Sequence, residues 1–192
     1  MIIRNYLTSD EKEWIKCRLL AFFDTSYATD IRWEKEQYKE AIELVAEEDG
    51  QLVGFLDIEL HSALQTNKNQ AGGVIWHMGV LPEFRQRKIA QQLWYTARQL
   101  MLEQDIHYCE LWTQEDPAAN AFYRKQKFQL LPESTYLRCS LKPNTYSLPL
   151  TETFNPTYYV DNYLFQAPLT DKQALLPICE SIQEVRLYGQ EF

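Results

Sequence analysis

The residues best suited to chemistry lie in one stretch, Met78-Gly79-Val80-Leu81-Pro82-Glu83-Phe84-Arg85-Gln86-Arg87-Lys88-Ile89-Ala90. Before it, Val74 to Val80 is a compact apolar run stopped by Pro82. After it, Ile89, Leu93, Ala97, Leu100 and Met101 recur at helical spacing. The stretch therefore reads as a strand end, a short loop and the first turn of an amphipathic helix. A helix start carries N–H groups without intrahelical acceptors and the positive end of the dipole, and both favour phosphate. Arg85, Arg87 and Lys88 add positive charge where a polyanion would sit. A solvated basic patch ahead of a helix has the same composition, so these residues alone leave both readings open.

A second stretch, Asp116-Pro117-Ala118-Ala119-Asn120-Ala121-Phe122-Tyr123-Arg124-Lys125-Gln126-Lys127-Phe128, opens with an N-cap and first-turn pair. It predicts a helix to about Lys125. A phenol such as Tyr123 has an ordinary pKa of about 10 and stays protonated at neutral pH, so it can donate a proton. The same residue also reads as a core aromatic on a helix face.

In this order and separation, the two stretches resemble the GNAT superfamily of acyl-CoA-dependent N-acyltransferases. That family's central motif is a strand ending in Val, a Pro two residues later, an aromatic, then Arg/Gln-x-x-Gly-x-Gly/Ala. Val80, Pro82, Phe84, Arg85 and Ala90 match it in register. The second stretch is similar to the family's Asn-x-x-(Phe/Leu)-Tyr-x-x-x-Gly-Phe segment, and Gly54 fits its third strand. The resemblance spans roughly residues 1 to 142. It implies acetyl-CoA as acyl donor, its pyrophosphate wrapped by the backbone of Arg85, Gln86, Arg87, Lys88, Ile89 and Ala90. It further implies pantetheine amides paired with Met78, Gly79 and Val80, a hydrogen bond from Asn120 to the pantetheine arm, and Tyr123 as general acid at the CoA sulfur. The chain departs from the pattern at Lys88 and Gln86, where the family carries glycine, and at Lys127 in the second motif. The other motif positions are intact, which favours an ordinary right-handed backbone at Lys88 and a gained phosphate contact.

By the same resemblance the reaction is direct attack of a neutral amine on the thioester. A backbone N–H near Met78 or Val80 then takes the oxyanion. The family often places Glu or His on the strand face shared here by Val74 and Trp76, and both are apolar. His77 is one residue off and by alternation faces the other way, which favours a satisfied structural histidine. Asp57, Glu59 and His61 share a face of the preceding strand, and Glu59 is the preferred substitute base, with a water relay as the alternative. Trp76 and Trp112 could wall an acceptor pocket, although core packing is the favoured reading of each.

Positioning these residues takes a succession of elements. Ile2 to Tyr6 reads as a strand. A helix capped at Thr8, Ser9 or Asp10 carries Trp14, Ile15, Leu19, Phe22 and Phe23, and a second, weaker helix is predicted over Trp33 to Ala41. Ile42 to Glu47 and Leu52 to Leu60 read as a hairpin around Asp49-Gly50, followed by a polar loop over Ser62 to Gly73. His107 to Thr113 alternates as a strand, and Phe128 to Leu131 and Thr135 to Leu141 are expected to close the sheet as an antiparallel pair. The fold class is α/β, the GNAT fold: a mixed, mostly antiparallel sheet with a splayed strand pair and flanking helices. Residues 1–142 form that domain. Residues 143–192, punctuated by Pro143, Pro149, Pro156, Pro168 and Pro177 with aromatic patches at Tyr158-Tyr159 and Tyr163-Leu164-Phe165, read as an extension packed on the domain or on a second protomer of a homodimer.

Composition sets the outer limits. The chain has 192 residues, 45% apolar and 24% charged, with 5 Trp, 12 Tyr and 9 Phe, which fits one domain with a ring-rich core. No apolar run approaches the roughly 20 residues of a membrane span, and the start lacks a signal-peptide layout, so a soluble cytoplasmic protein is expected. Four dispersed cysteines and three histidines supply no zinc ligand set; no metal is expected, and Cys109 and Cys139 read as buried thiols. A net charge of −8 argues against nucleic acid and suits a cationic small-molecule or peptide amine as acceptor. Two other readings stand beside the enzyme: a non-catalytic CoA-binding regulatory module, and an interaction protein using the extension.

Overall fold

The computed structural model of the chain describes residues 1–62, 66–142 and 164–192. Its strands are β1 (Ile2–Asn5), β2 (Ala41–Glu48), β3 (Gln51–His61), β4 (Gly72–Val80), β5 (Tyr108–Thr113), β6 (Gln129–Leu141), β7 (Leu164–Pro168) and β8 (Cys179–Glu191). Its helices are α1 (Glu11–Phe22), α2 (Ile89–Leu102), α3 (Pro117–Lys125) and the single turn α4 (Lys172–Leu175). The strands form one sheet in the order β1-β2-β3-β4-β5-β8-β6-β7. β4 and β5 run parallel and every other described neighbouring pair is antiparallel. The fold is therefore mixed α/β with a mostly antiparallel sheet, as the sequence predicts.

Each face of the sheet is covered by one long helix. α2 buries Ile89, Leu93, Trp94, Ala97 and Met101, one stripe at helical spacing. α1 packs on the opposite face, where Trp14 and Phe22 meet Phe55 at ring-centroid distances of 5.4 and 5.8 Å. Gly79 of β4 lies under α1 as well. A Cβ there would fall 2.5 Å from Phe55 Cζ and 3.1 Å from the Ala21 Cβ, so the close approach of α1 requires glycine. The β2–β3 hairpin turns through Asp49 and Gly50 at φ of 52° and 78°, the left-handed pair of a two-residue turn. All four cysteines are free and buried.

Four local expectations are corrected. The inward stripe of α1 is Trp14, Cys17, Arg18 and Ala21, so Leu19 and Phe23 face solvent, the latter 74% exposed. Asp10 does not cap α1 with its side chain; it accepts the Leu7 N–H at 2.8 Å and pairs with Arg4 at 2.7 Å. Residues 33–40 form no helix. Their few apolar side chains make no stripe, Trp33 is 88% exposed, and the segment is held by its polar side chains instead. Finally, Gln129 to Leu141 is a single strand whose register breaks between Leu131 and Tyr136. Pro132 sits at that break, where its missing N–H costs no ladder bond, and the antiparallel partners of β6 are β8 and β7. The segments Tyr158-Tyr159 and Pro143, Pro149 and Pro156 lie outside the described residues.

Candidate active site

β4 parts from β5 after three residues. Gly73, Val74 and Ile75 pair with Cys109, Glu110 and Leu111, while β4 continues to Val80 beside β3 and β5 continues to Thr113 beside β8. The Leu81 N–H bonds the Val53 carbonyl at 3.0 Å. Counting back by the alternation of an antiparallel ladder, the Gly79 amide faces β3, and the Met78 and Val80 amides face the gap left by β5.

Tyr123 reaches β4 from α3. Asp116 caps that helix, accepting the Ala118 and Ala119 N–H groups at 3.0 and 3.1 Å, and Pro117 fills its first turn. The Tyr123 ring is buried against Phe122, Phe128 and Tyr188, and its hydroxyl lies 3.8 Å from the Met78 sulfur. Burial, reinforced by the neighbouring Tyr27, pushes its pKa above the ordinary phenol value, so the proton is retained at neutral pH. Tyr27 itself bridges the segment after α1 to the end of β5, its hydroxyl accepting the Gln114 N–H at 3.1 Å.

The loop between β4 and α2 is built to gather amides. After a 3-10 turn at Pro82–Phe84, Gln86 and Lys88 take φ of 62° and 64°. The right-handed backbone expected at Lys88 is overturned, and both non-glycine replacements in the motif occupy the left-handed region. Such residues turn successive N–H groups into one concavity. No described group accepts the N–H of any residue from Gln86 to Gln91. Each left-handed non-glycine residue costs about 1–2 kcal/mol, so Lys88→Gly is expected to raise the unfolding free energy by about 1 kcal/mol in urea denaturation. An unchanged or lowered midpoint would show that the lysine conformation carries no strain.

The loop's side chains divide sharply. Arg85 turns inward, chelating Asp24 at 2.6 and 2.7 Å and donating to the Ala21 carbonyl at 2.9 Å and the Val80 carbonyl at 3.3 Å. Arg87 pairs with Glu48 at 2.6 Å over the Phe84 ring. Lys88 is exposed and has no ion pair among the described residues. Ile89 is core and Ala90 partly buried. Asn120 is buried and committed to the protein: its amide donates to the Gln114 and Asp116 carbonyls at 2.6 and 2.8 Å, and its oxygen accepts from Tyr188 and Arg186 at 3.0 and 3.3 Å.

On the α1 face, a β-bulge re-aims the side chains. Asp57 pairs with His77 but Ile58 pairs with Ile75, leaving Trp76 as the extra residue. His77 therefore shares the face of Asp57 and Glu59, contrary to simple alternation. It is nonetheless a satisfied histidine, as expected: Arg18 Nε donates to Nδ1 at 3.4 Å, Nε2 donates to Glu36 at 3.1 Å, and Trp14 meets the ring edge-on. Burial lowers its pKa. Trp76 is not core; it is 47% exposed, and its indole N–H donates to Glu59 Oε2 at 2.8 Å. His61 Nε2 meets the same oxygen at 3.0 Å. Trp112 is partly buried against Tyr136.

Beneath this face lies a cluster the sequence reading missed. Lys35 is buried between the rings of Tyr6, Trp14 and Tyr38, contacts Glu43, and stands 3.2 Å from Asp57. Asp57 is fully buried with neither oxygen in a directed hydrogen bond, and desolvation lifts its pKa to about 7 against the opposing pull of Lys35. One signal was present: Asp57 interrupts an apolar strand. Among the described residues no helix is long and apolar enough to cross a membrane, and no metal-ligand cluster is gathered.

The model of the acetyltransferase (GNAT) family matches residues 9–128. No curated protein matches the chain. Among solved structures, NAA60 of Arabidopsis thaliana, determined with a bisubstrate analogue, superposes with a TM-score of 0.61 at 12% identity over 99% of this chain and 97% of that one. The ribosomal-protein-S18-alanine N-acetyltransferase of Escherichia coli gives 0.60 at 10% identity over 99% and 92%. The PaiA N-acetyltransferase of Thermoplasma acidophilum, solved with coenzyme A, gives 0.56 at 19% identity over 67% and 89%. At these identities the likeness establishes the fold.

Proposed function

The chain belongs to the acetyltransferase (GNAT) family, and we propose that it is an N-acetyltransferase that moves an acetyl group from acetyl-CoA to a primary amine of a small molecule or peptide by direct attack. The observation that carries this reading is the convergence at one opening of three features: the β4 edge beyond Ile75, unpaired among the described residues, the Tyr123 hydroxyl beside Met78, and the amide-lined loop at Gln86–Gln91. That loop suits a pyrophosphate, with N–H groups at the α2 terminus that have no acceptor among the described residues and Lys88 as a cation with no ion pair among them. Arg85 serves the site indirectly, tying the end of α1 to the loop through Asp24. Asn120 holds the start of α3 on the β5 end, which fixes Tyr123.

In the reaction, the Met78 or Val80 N–H stabilises the oxygen of the tetrahedral adduct. As the carbon–sulfur bond breaks, Tyr123 gives its proton to the departing sulfur. The amine loses one proton to Glu59, directly or through water.

The reading is tested by calorimetric titration of acetyl-CoA into the wild type and Lys88→Glu. Micromolar binding weakened at least tenfold by the charge reversal is expected. An absence of binding by the folded wild type would sink the proposal. Equal binding by both would remove Lys88 from the site.

A further inference from the structure

The corner formed by Trp76 and Glu59 has a use that packing does not explain. Trp76 is the first β4 residue beyond the last pair with β5, and Met78, two residues on, meets Tyr123. Its ring is about half exposed although a large apolar side chain gains most from burial. The ring is also fixed, because Glu59 Oε2 holds its N–H at 2.8 Å and is itself met by His61 at 3.0 Å. Glu59 Oε1 has no hydrogen-bond partner among the described residues, and its side chain is 28% exposed. An oriented indole face beside a free carboxylate oxygen is the combination that holds an ammonium ion: tryptophan offers the strongest ring quadrupole, and the carboxylate a charge-assisted hydrogen bond. Three cations on this side of the sheet are already matched. Arg32 pairs with Asp30 and Glu36, Arg18 with Asp30, and Lys35 with Glu43 and Asp57.

We propose that this corner binds the acceptor as an alkylammonium ion, the cation lying over the Trp76 ring with one N–H on Glu59 Oε1. The inference rests on the acetyl-transfer reading and adds the acceptor's charge class: an aliphatic amine that arrives protonated, in preference to an arylamine or a hydroxyl compound, which are neutral at pH 7. One N–H bond of the bound ammonium then breaks as an O–H bond forms on Glu59, the freed lone pair attacks, and the second proton that nitrogen loses in becoming an amide passes, directly or through water, to the Tyr123 oxygen that has just protonated the departing sulfur.

The test uses the full chain and two probes with one carbon skeleton, n-butylammonium and 1-butanol, followed at the Trp76 indole N–H in ¹H–¹⁵N spectra. That signal is assigned by its loss in Trp76→Phe. A saturable shift with n-butylammonium, at least tenfold weaker in Glu59→Gln, and none with 1-butanol is expected. Equal shifts with both probes, or none with n-butylammonium, overturns the site. CoA thiol release from acetyl-CoA is followed in the same samples. A shift without thiol release overturns the transferase reading and leaves the ammonium site standing; thiol release without a shift does the reverse.

Discussion

Lys35→Met is expected to lower the unfolding free energy at pH 8 by about 1–2 kcal/mol, because the Asp57 carboxyl, with a folded pKa of about 7, answers the loss of its cation by taking up a proton at about 1.4 kcal/mol per pH unit above that value. Lys35 is the one cation against Asp57 among the described residues, and Asp57 has no directed hydrogen bond to fall back on. The loss should depend on pH, and the sign follows from the direction of the Asp57 shift. Its folded pKa of about 7 lies above the unfolded value near 3.8, so the native state binds the extra proton between those values. Asp57 therefore contributes most to stability at low pH, and that contribution is lost as pH rises through 7, by at most about 1.4 kcal/mol per pH unit. At pH 5 the carboxyl is protonated and needs no cation, so Lys35→Met should be milder there than at pH 8. Adding Asp57→Asn to Lys35→Met should recover part of the loss at pH 8. Urea denaturation of the three variants at both pH values reads this directly. Equal losses at pH 5 and 8 would show that Lys35 acts through packing on Tyr6, Trp14 and Tyr38 alone.

Tyr123→Phe carries the largest expected effect on activity. A positioned general acid contributes about 10²- to 10⁴-fold, so the turnover of acetyl-CoA with an amine should fall at least 100-fold. The fold should barely notice. The hydroxyl's described contact is the Met78 sulfur at 3.8 Å, a weak acceptor, and the ring contacts with Phe122, Phe128 and Tyr188 survive in phenylalanine. Stability within about 1 kcal/mol of wild type and unchanged acetyl-CoA binding are expected. A turnover loss below threefold would remove Tyr123 as the acid; a large loss of stability would return it to the core.

Much of this was legible in the residues. Val80, Pro82, Phe84, Arg85 and Ala90 announced a strand, a loop and a helix start, and the structure has β4, a turn and α2 there. Asp116-Pro117 announced the cap of α3, and the hydrogen bonds to Ala118 and Ala119 are present. What was not legible depends on partners distant in sequence. Arg85 reads as a phosphate ligand until Asp24, 61 residues away, is seen to chelate it. The face of His77 turns on a bulge, a one-residue mismatch against β3 that no periodicity reveals. β8 reaches its place between β5 and β6 from the end of the chain, whereas local pattern suggested that β6 closed on itself. Lys88 was misread because a residue type constrains φ only statistically: the local geometry imposed a left-handed conformation that a lysine disfavours but does not forbid.

The central claim is that an amine is acetylated at the opening between β4 and β5. The most direct measurement incubates the protein with acetyl-CoA and an alkylamine such as n-butylamine, and follows N-acetylated product by mass spectrometry beside a Tyr123→Phe control. Product that accumulates with the wild type and nearly vanishes with the control is predicted. A wild type that binds acetyl-CoA yet yields no product above the uncatalysed background, across alkylamines and peptide amines alike, would contradict it.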